Sequence, residues 1–303
     1  MTATALAPVI PHLAHAIALA GLTLGLLALA RWMHGRSTPL GPRFQLIDRA
    51  NPAYGLLLGG FLAGTAIALA GTLFGRQTEP LEQALPVMAC EGLLVIALMR
   101  IGGLVNDRLV LVGFSLHTEI AEDQNLAASS CATGSAIATG LVLNGALTGH
   151  SPDLPTGLRD TVILWAVGQV VLVVGAQVYR RLGRFDIHRL IQFDDNTAAG
   201  VRFGSFLAGL GIVVRGSLLR APLADATHVW QTIALSTGGL MIFAALCPLA
   251  RRLALGMGTH DEEIDLRGNL AMAFADAAIT LGWALLVATA IERTLTEVVT
   301  DAV

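Results

Sequence analysis

The chain contains no lysine: all 19 of its basic side chains are arginine. Charge of either sign is scarce as well, 14% of 303 residues, where a soluble globular chain carries about 25%. That is too little to solvate the surface of a soluble domain of this size. The formal net charge of −3 is small and offers no electrostatic footprint for nucleic acid. Cysteine is limited to Cys90, Cys131 and Cys247, in three separate apolar stretches. Without paired spacing they build neither a disulfide framework nor a metal knuckle, and they read as small packing residues. His12 and His15 share a helical face but have no third ligand at matching depth, so no metal is expected, and no cofactor. A phosphate loop, a zinc-protease helix signature and a nucleophile elbow are all missing from the chain. No enzymatic activity is expected.

What the chain has in abundance is apolar length. Hydrophobic residues make up 54%, the mean hydropathy is +0.67, and the apolar runs last about 20 residues, enough to cross a bilayer core of roughly 30 Å. Eight spans follow, near 9–31, 53–74, 84–105, 125–147, 160–180, 197–219, 228–250 and 268–291. The first has no arginine before it, so it reads as a retained helix and not a cleaved leader. Arginine then sets orientation. The loops after spans one, three, five and seven hold Arg31, Arg36, Arg43 and Arg49; Arg108; Arg180, Arg181, Arg184 and Arg189; and Arg251, Arg252 and Arg267. The alternate loops hold only Arg76, Arg159 and Arg220. By the positive-inside rule the richer loops are cytoplasmic and both termini lie outside.

The same apolar block occurs twice. Residues 51–71 read NPAYGLLLGGFLAGTAIALAG and residues 196–216 read NTAAGVRFGSFLAGLGIVVRG, with ten of 21 positions identical. Glu119-Ile120 with Asn125-Leu126-Ala127 recurs, 144 residues on, as Glu263-Ile264 with Asn269-Leu270-Ala271. Two matches in one order mark an internal duplication. Each copy carries four spans, an even number, so the copies insert in the same orientation. The expected fold is an all-α polytopic membrane helix bundle of two parallel four-helix repeats, 9–147 and 160–292. Gly55, Gly59 and Ala63, Gly60, Gly64 and Ala68, and Gly200, Gly204 and Ala208 recur every fourth residue. Such stripes are expected to form the packing seam within or between repeats.

Ionisable groups inside these spans cost about 3 kcal/mol each on the lenient insertion scale, so each needs a partner, water or a function. Arg202 and Asp276 lie roughly 9 and 12 Å deep from the same face, at 1.5 Å per residue, and are expected to pair. Glu91 and Arg215 share the opposite leaflet and can pair likewise. Asn269, Asp276, Thr280 and Trp283 form a polar stripe on span eight. The first copy has Leu57, Ala70 and Ala132 where the second has Arg202, Arg215 and Asp276. Its span four offers hydroxyls instead, able to line a hydrated cavity or to bond back to their own helix. Arg100 is explained by snorkelling. Thr259 with Glu262 three residues on reads as a capping box. Glu119 and Glu263, equivalent in the two copies, point to a shared structural role.

Gly55 to Gly71, Asn106-Asp107-Arg108-Leu109 with Glu119-Ile120, and Asn125-Leu126-Ala127 running into Gly134 to Gly140 resemble the bacterial membrane family called domain of unknown function 350, of YjfL type. The resemblance covers about residues 10–292 as a tandem pair. It implies an inner-membrane protein, sometimes connected with envelope stress, and supplies no settled activity. The family's fourth-helix acidic residue is kept only as Asp276. The Asn106-Asp107-Arg108 motif likewise occurs once, against Leu249-Ala250-Arg251-Arg252 in the second copy. Two functions are consistent with this chain. Buried polar residues favour a small-solute or ion transporter or channel, its path near the repeat interface and lined by spans four and eight. The alternative is a non-transporting scaffold that presents cytoplasmic loops to a partner. Expected partners are the lipid bilayer and a homo-oligomer or a cytoplasmic stress-response protein.

Overall fold

The computed structural model describes residues 9–36, 41–74, 76, 79–110, 116–149, 151–218, 226–256 and 260–301. Among these the chain forms eight long helices: α1 (Val9–Arg36), α2 (Pro52–Gly71), α3 (Leu81–Leu109), α4 (Leu126–Leu147), α5 (Leu154–Leu182), α6 (Thr197–Leu218), α7 (Ala226–Leu255) and α8 (Leu270–Asp301). All eight are long and apolar enough to cross a membrane. Large apolar side chains such as Leu24, Trp32, Val170 and Leu286 stand exposed on the outside, where only lipid could cover them. The chain is a multi-pass membrane protein of the all-α class.

The helices stand in two layers. The even helices form one row, α2–α4–α6–α8, and the odd helices pack along it in the order α1–α3–α5–α7. The inner members of the row are the best covered. The most apolar window of α6 is 83% buried, that of α1 only 17%. Lipid provides no hydrophobic drive between helices, so close backbone approach has to hold the row together. Glycine supplies it. A methyl group built at Gly140 would overlap the Gly64 carbonyl across the α2–α4 seam, and one at Gly134 would overlap Gly204 across α4–α6. At the α6–α8 seam Gly216 lies against Ala288.

The small-residue stripes divide between these seams in a way their spacing does not reveal. Gly60, Gly64 and Ala68 face inward from α2, as do Gly200 and Gly204 from α6. The Gly55-Gly59-Ala63 stripe is not a seam: Gly59 has open space in front of it and Ala63 is exposed. Its counterparts Gly200 and Gly204 pack on α4, but α2 ends the row and has no even helix before it.

Each even helix enters through the same turn, four times over. The turns lie at the Arg-rich end, where Phe44–Asp48 (a π-helix), Leu116–Ala121, Ile187–Gln192 and His260–Asp265 form short helical pieces. Behind each comes an asparagine, Asn51, Asn125, Asn196 or Asn269, and two positions later an alanine. The asparagine N–H donates to the carbonyl six residues back, at 2.9 Å in all four turns. The residue before it is left-handed: Ala50 (φ 48°), Gln124 (56°), Asp195 (46°) and Gly268 (64°). Only Gly268 adopts this conformation without a side-chain penalty. Each Asn Oδ1 accepts the backbone N–H three residues on, capping its helix.

The remaining asparagine hydrogens tie one turn to the next. Nδ2 of Asn51 donates to the Ile120 carbonyl (2.8 Å), Asn125 to Ile191 (2.7 Å) and Asn196 to Ile264 (3.0 Å). Asn269, last in line, donates only to Glu263 of its own turn, at 3.2 Å. Glu119 accepts from Asn125 in the same manner (3.0 Å), and Gln45 from Asn51 (3.0 Å). Buried Glu119 is held above the usual carboxylate range by desolvation, which the Asn125 hydrogen bond partly offsets. The structural unit is thus a helix pair used four times, finer than the four-helix repeat that the sequence displays. Glu262 lies inside the short helix that begins at His260, and α8 is capped by Asn269. Thr259 lies outside the described residues.

Asn125→Ala removes a cap and three donor contacts, two of them to the neighbouring turn, whereas Asn269→Ala removes a cap and one contact within its turn. At about 1 kcal/mol for a cap and a similar amount for a buried hydrogen bond, the first is expected to cost about 3 kcal/mol and the second about 1–2. Denaturant unfolding in detergent measures both. Equal losses would mean that the bonds between turns add nothing.

Candidate functional site

The sequence-predicted residues gather into three places. The first is a charge cluster at the Arg-rich end of the second half. Asp276 is fully buried on α8. Its Oδ2 stands 3.9 Å from Arg202 Nε of α6, so the expected pair is present. Arg251 of α7 is closer, with Nε 2.9 Å from Asp276 Oδ1. The Arg251 N–H is not aimed along that line, which makes the contact an ion pair and not an aligned hydrogen bond. Arg251 Nη2 donates to Thr280 Oγ1 at 3.1 Å. Asp276, Thr280 and Trp283 all face α7, where the Trp283 ring N–H reaches the Phe243 carbonyl at 3.3 Å.

Arg202 is held chiefly by the short helix folded back over it. Nη2 meets Asp261 Oδ1 at 2.5 Å and Nη1 meets Asp265 Oδ2 at 3.0 Å. The two carboxyls respond oppositely. Burial pushes Asp261 up, but the charge and hydrogen bond of Arg202, together with the charges of His260 and Arg251, outweigh it and the group ends below its ordinary value. Deeper Asp265 is pushed up by burial, and Arg202 does not fully offset the shift. A cavity of about 190 Å³ opens beside this cluster, lined by Tyr179, Arg202, Phe206, Cys247, Arg251 and Asp261 among others. The two arginines line it; Asp276 lies behind them.

The second place is the equivalent cavity of the first half, about 320 Å³. On α3 its lining includes Arg100, Gly103, Leu104 and Asp107, and on α7 the lining of the smaller cavity includes Ala244, Cys247, Pro248 and Arg251. These correspond at a constant offset of 144. Leu57 and Ala121 line the first cavity where Arg202 and Asp265 line the second. One half narrows the space with paired charge and the other leaves it wider. Ser135 and Thr139 of α4 line the wider one. The other α4 hydroxyls are used up: Ser129 and Ser130 bond back to Leu126, and Thr133 donates across the seam to Leu56. Arg100 Nη1 reaches the Met33 carbonyl at 3.5 Å, and Arg108 is exposed.

The third place, at the opposite end, corrects an expected pair. Glu91 does not meet Arg215. Its Oε1 is 2.5 Å from Arg76 Nη2, while Arg215 Nε donates to Asn144 Oδ1 at 2.7 Å. Arg215 leaves α6 on the side facing α4, and Glu91 leaves α3 toward the α2–α3 loop. Equal depth did not make them neighbours. Asn144 also donates to the Ile67 carbonyl (2.8 Å), joining α2 and α6 through α4. Glu263 accepts from Arg267 and Asn269, and so belongs to its turn.

A tandem all-helical membrane protein with two pseudo-equivalent cavities is the class these observations define. The family described as Domain of Unknown Function (DUF350) matches the chain twice, over residues 6–150 and 153–291. The chain belongs to that family. No curated protein and no solved structure matches it.

Asp276→Leu leaves the buried Arg251 guanidinium without a counter-charge and is expected to cost about 3–5 kcal/mol. Adding Arg251→Leu should recover most of that loss, because Arg202 keeps Asp261 and Asp265. Adding Arg202→Leu instead should recover little, since Arg251 then stays unpaired. Thermal unfolding of the three variants ranks them; the reverse order would make Arg202 the true partner of Asp276.

Proposed function

We propose that this protein is a non-conducting scaffold of a bacterial inner membrane, with both termini outside and the four linked turns presented to a cytoplasmic partner. The observation that carries this reading is the close-packed seam between the two halves, where α4 and α6 approach so closely that Gly134 and Gly204 admit no side chain. A path at that interface would need an opening there. A path lined by spans four and eight has no shared wall, because α6 stands between them. The asparagine bonds from turn to turn favour a stiff platform, which suits presentation better than alternating access. The arginine-rich loops adjoin those turns and support their placement in the cytoplasm.

Transport retains one specific support, the buried carboxylate Asp276, and a flux assay separates the two readings. In proteoliposomes, proton, potassium and small-solute flux is expected to match that of protein-free vesicles. Flux above that level, abolished by Asp276→Asn, would replace the scaffold with a transporter. For orientation, Arg36→Cys and Arg184→Cys in a Cys90→Ala background are expected to react with an impermeant thiol reagent only after the cells are opened. Labelling of intact cells would invert the topology.

A further inference from the structure

Two acceptors at the first-half cavity have no donor among the described residues: the exposed Asp107 carboxylate, where the second half has Arg251, and the buried Asn106 amide oxygen. Asp107, in the place of Arg251, lines the cavity and forms no ion pair or hydrogen bond among the described residues. Arg108 follows it in the chain, and Arg100, two turns away, is turned to the Met33 carbonyl. Beside Asp107, Asn106 is 3% exposed and also lines the cavity. Its Nδ2 is used on Thr139 Oγ1 (3.3 Å), leaving buried Oδ1 without a donor. An unsatisfied buried acceptor costs about 1–3 kcal/mol, so a site that keeps one gains by admitting a guest that donates to it.

The second half shows which guest such a frame accepts. There the matching space holds the guanidinium groups of Arg202 and Arg251, balanced by acidic side chains that the first half lacks. The first half has inverted the arrangement. The carboxylate sits at the Arg251 position, and among the described residues no cation lies within ion-pair distance of it, although Arg100 lines the same cavity. We propose that this cavity binds a small organic cation bearing N–H donors, a primary ammonium or guanidinium group, with Asp107 as counter-charge and Asn106 Oδ1 as acceptor.

Size and walls argue for an organic guest. At about 320 Å³ the cavity is at the lower end of small-molecule sites, and Leu57, Phe61 and Met99 give it apolar walls. A bare ion would need a close cage of oxygens. Gly103 lines the cavity with nothing within 4 Å of its missing side chain, leaving room for entry along α3. The same ammonium chemistry could come from a free amine or from an aminophospholipid headgroup. The inference does not depend on the scaffold reading, since binding is measured without flux or partner.

Calorimetry on the full chain in phosphatidylcholine nanodiscs tests it, with n-butylammonium as probe and tetramethylammonium and sodium as controls. Saturable binding of n-butylammonium is expected, with neither control competing. Asp107→Asn, which breaks no internal contact, should weaken binding at least tenfold, and Gly103→Leu, which fills open space at the cavity wall, should abolish it. Repeating the titration in phosphatidylethanolamine-containing discs separates the sources: competition assigns the site to the lipid headgroup, and unchanged binding assigns it to a free amine. Absent saturable binding, equal binding by Asp107→Asn, or displacement by tetramethylammonium or sodium would each overturn the proposal.

Discussion

Backbone contact between glycine-bearing helices is the constraint on which this structure rests. In water a helix bundle gains stability by burying apolar surface, but lipid tails are as apolar as leucine and give no such gain. Cohesion has to come from close packing and from hydrogen bonds across the seams. The even helices satisfy both demands, with Gly64, Gly134, Gly204 and Gly216 at the contacts and Thr133 and Asn144 bonding across them. Larger residues are thereby displaced to the odd helices, which meet the lipid and carry most of the exposed leucine and valine.

The same frame also lets the two halves diverge. Backbone positions stay equivalent along the row, so a side chain can be exchanged without moving a helix. In the second half Arg202, Arg251, Asp261, Asp265 and Asp276 narrow the matching space with side chains of opposite charge. In the first half Leu57, Ala121 and Ala132 replace three of these charges and Asp107 reverses a fourth. A buried pair is weak evidence for stability, and its counterpart shows that the fold stands without it. What the pairs set is the shape and the sign of charge of one cavity relative to the other.

Much of this was legible in the residues. The apolar runs gave the number of helices, the offset of 145 gave the duplication, and depth brought Arg202 and Asp276 together. Three features were hidden. Equal depth cannot say which helices adjoin: it makes Arg215 a partner for Glu91, whereas the short loop before α3 brings Arg76 nearer. Arg251 looked like an orientation signal because it stands beside Arg252 at a helix end; only its neighbours, Asp276 and Thr280, reveal a buried role. The finer fourfold unit escaped because its shared signature is an asparagine followed two positions later by alanine, in a chain crowded with alanine. The left-handed position before that asparagine is filled by Ala50, Gln124, Asp195 and Gly268, four residue types with no common pattern.

The asparagine turns also bear on how the molecule is made. Asn51 reaches its acceptor only when Ile120 has returned to the same side of the membrane, and Asn125 and Asn196 wait likewise on Ile191 and Ile264. Each helix pair therefore remains unlatched until the next has been inserted, and the latches close in the order of synthesis. A chain halted after α6 would hold two closed latches and an open third. Assembly quality is in this way written into the spacing of one side-chain amide, and among the described residues the Asn269 amide bonds within its own turn without reaching another.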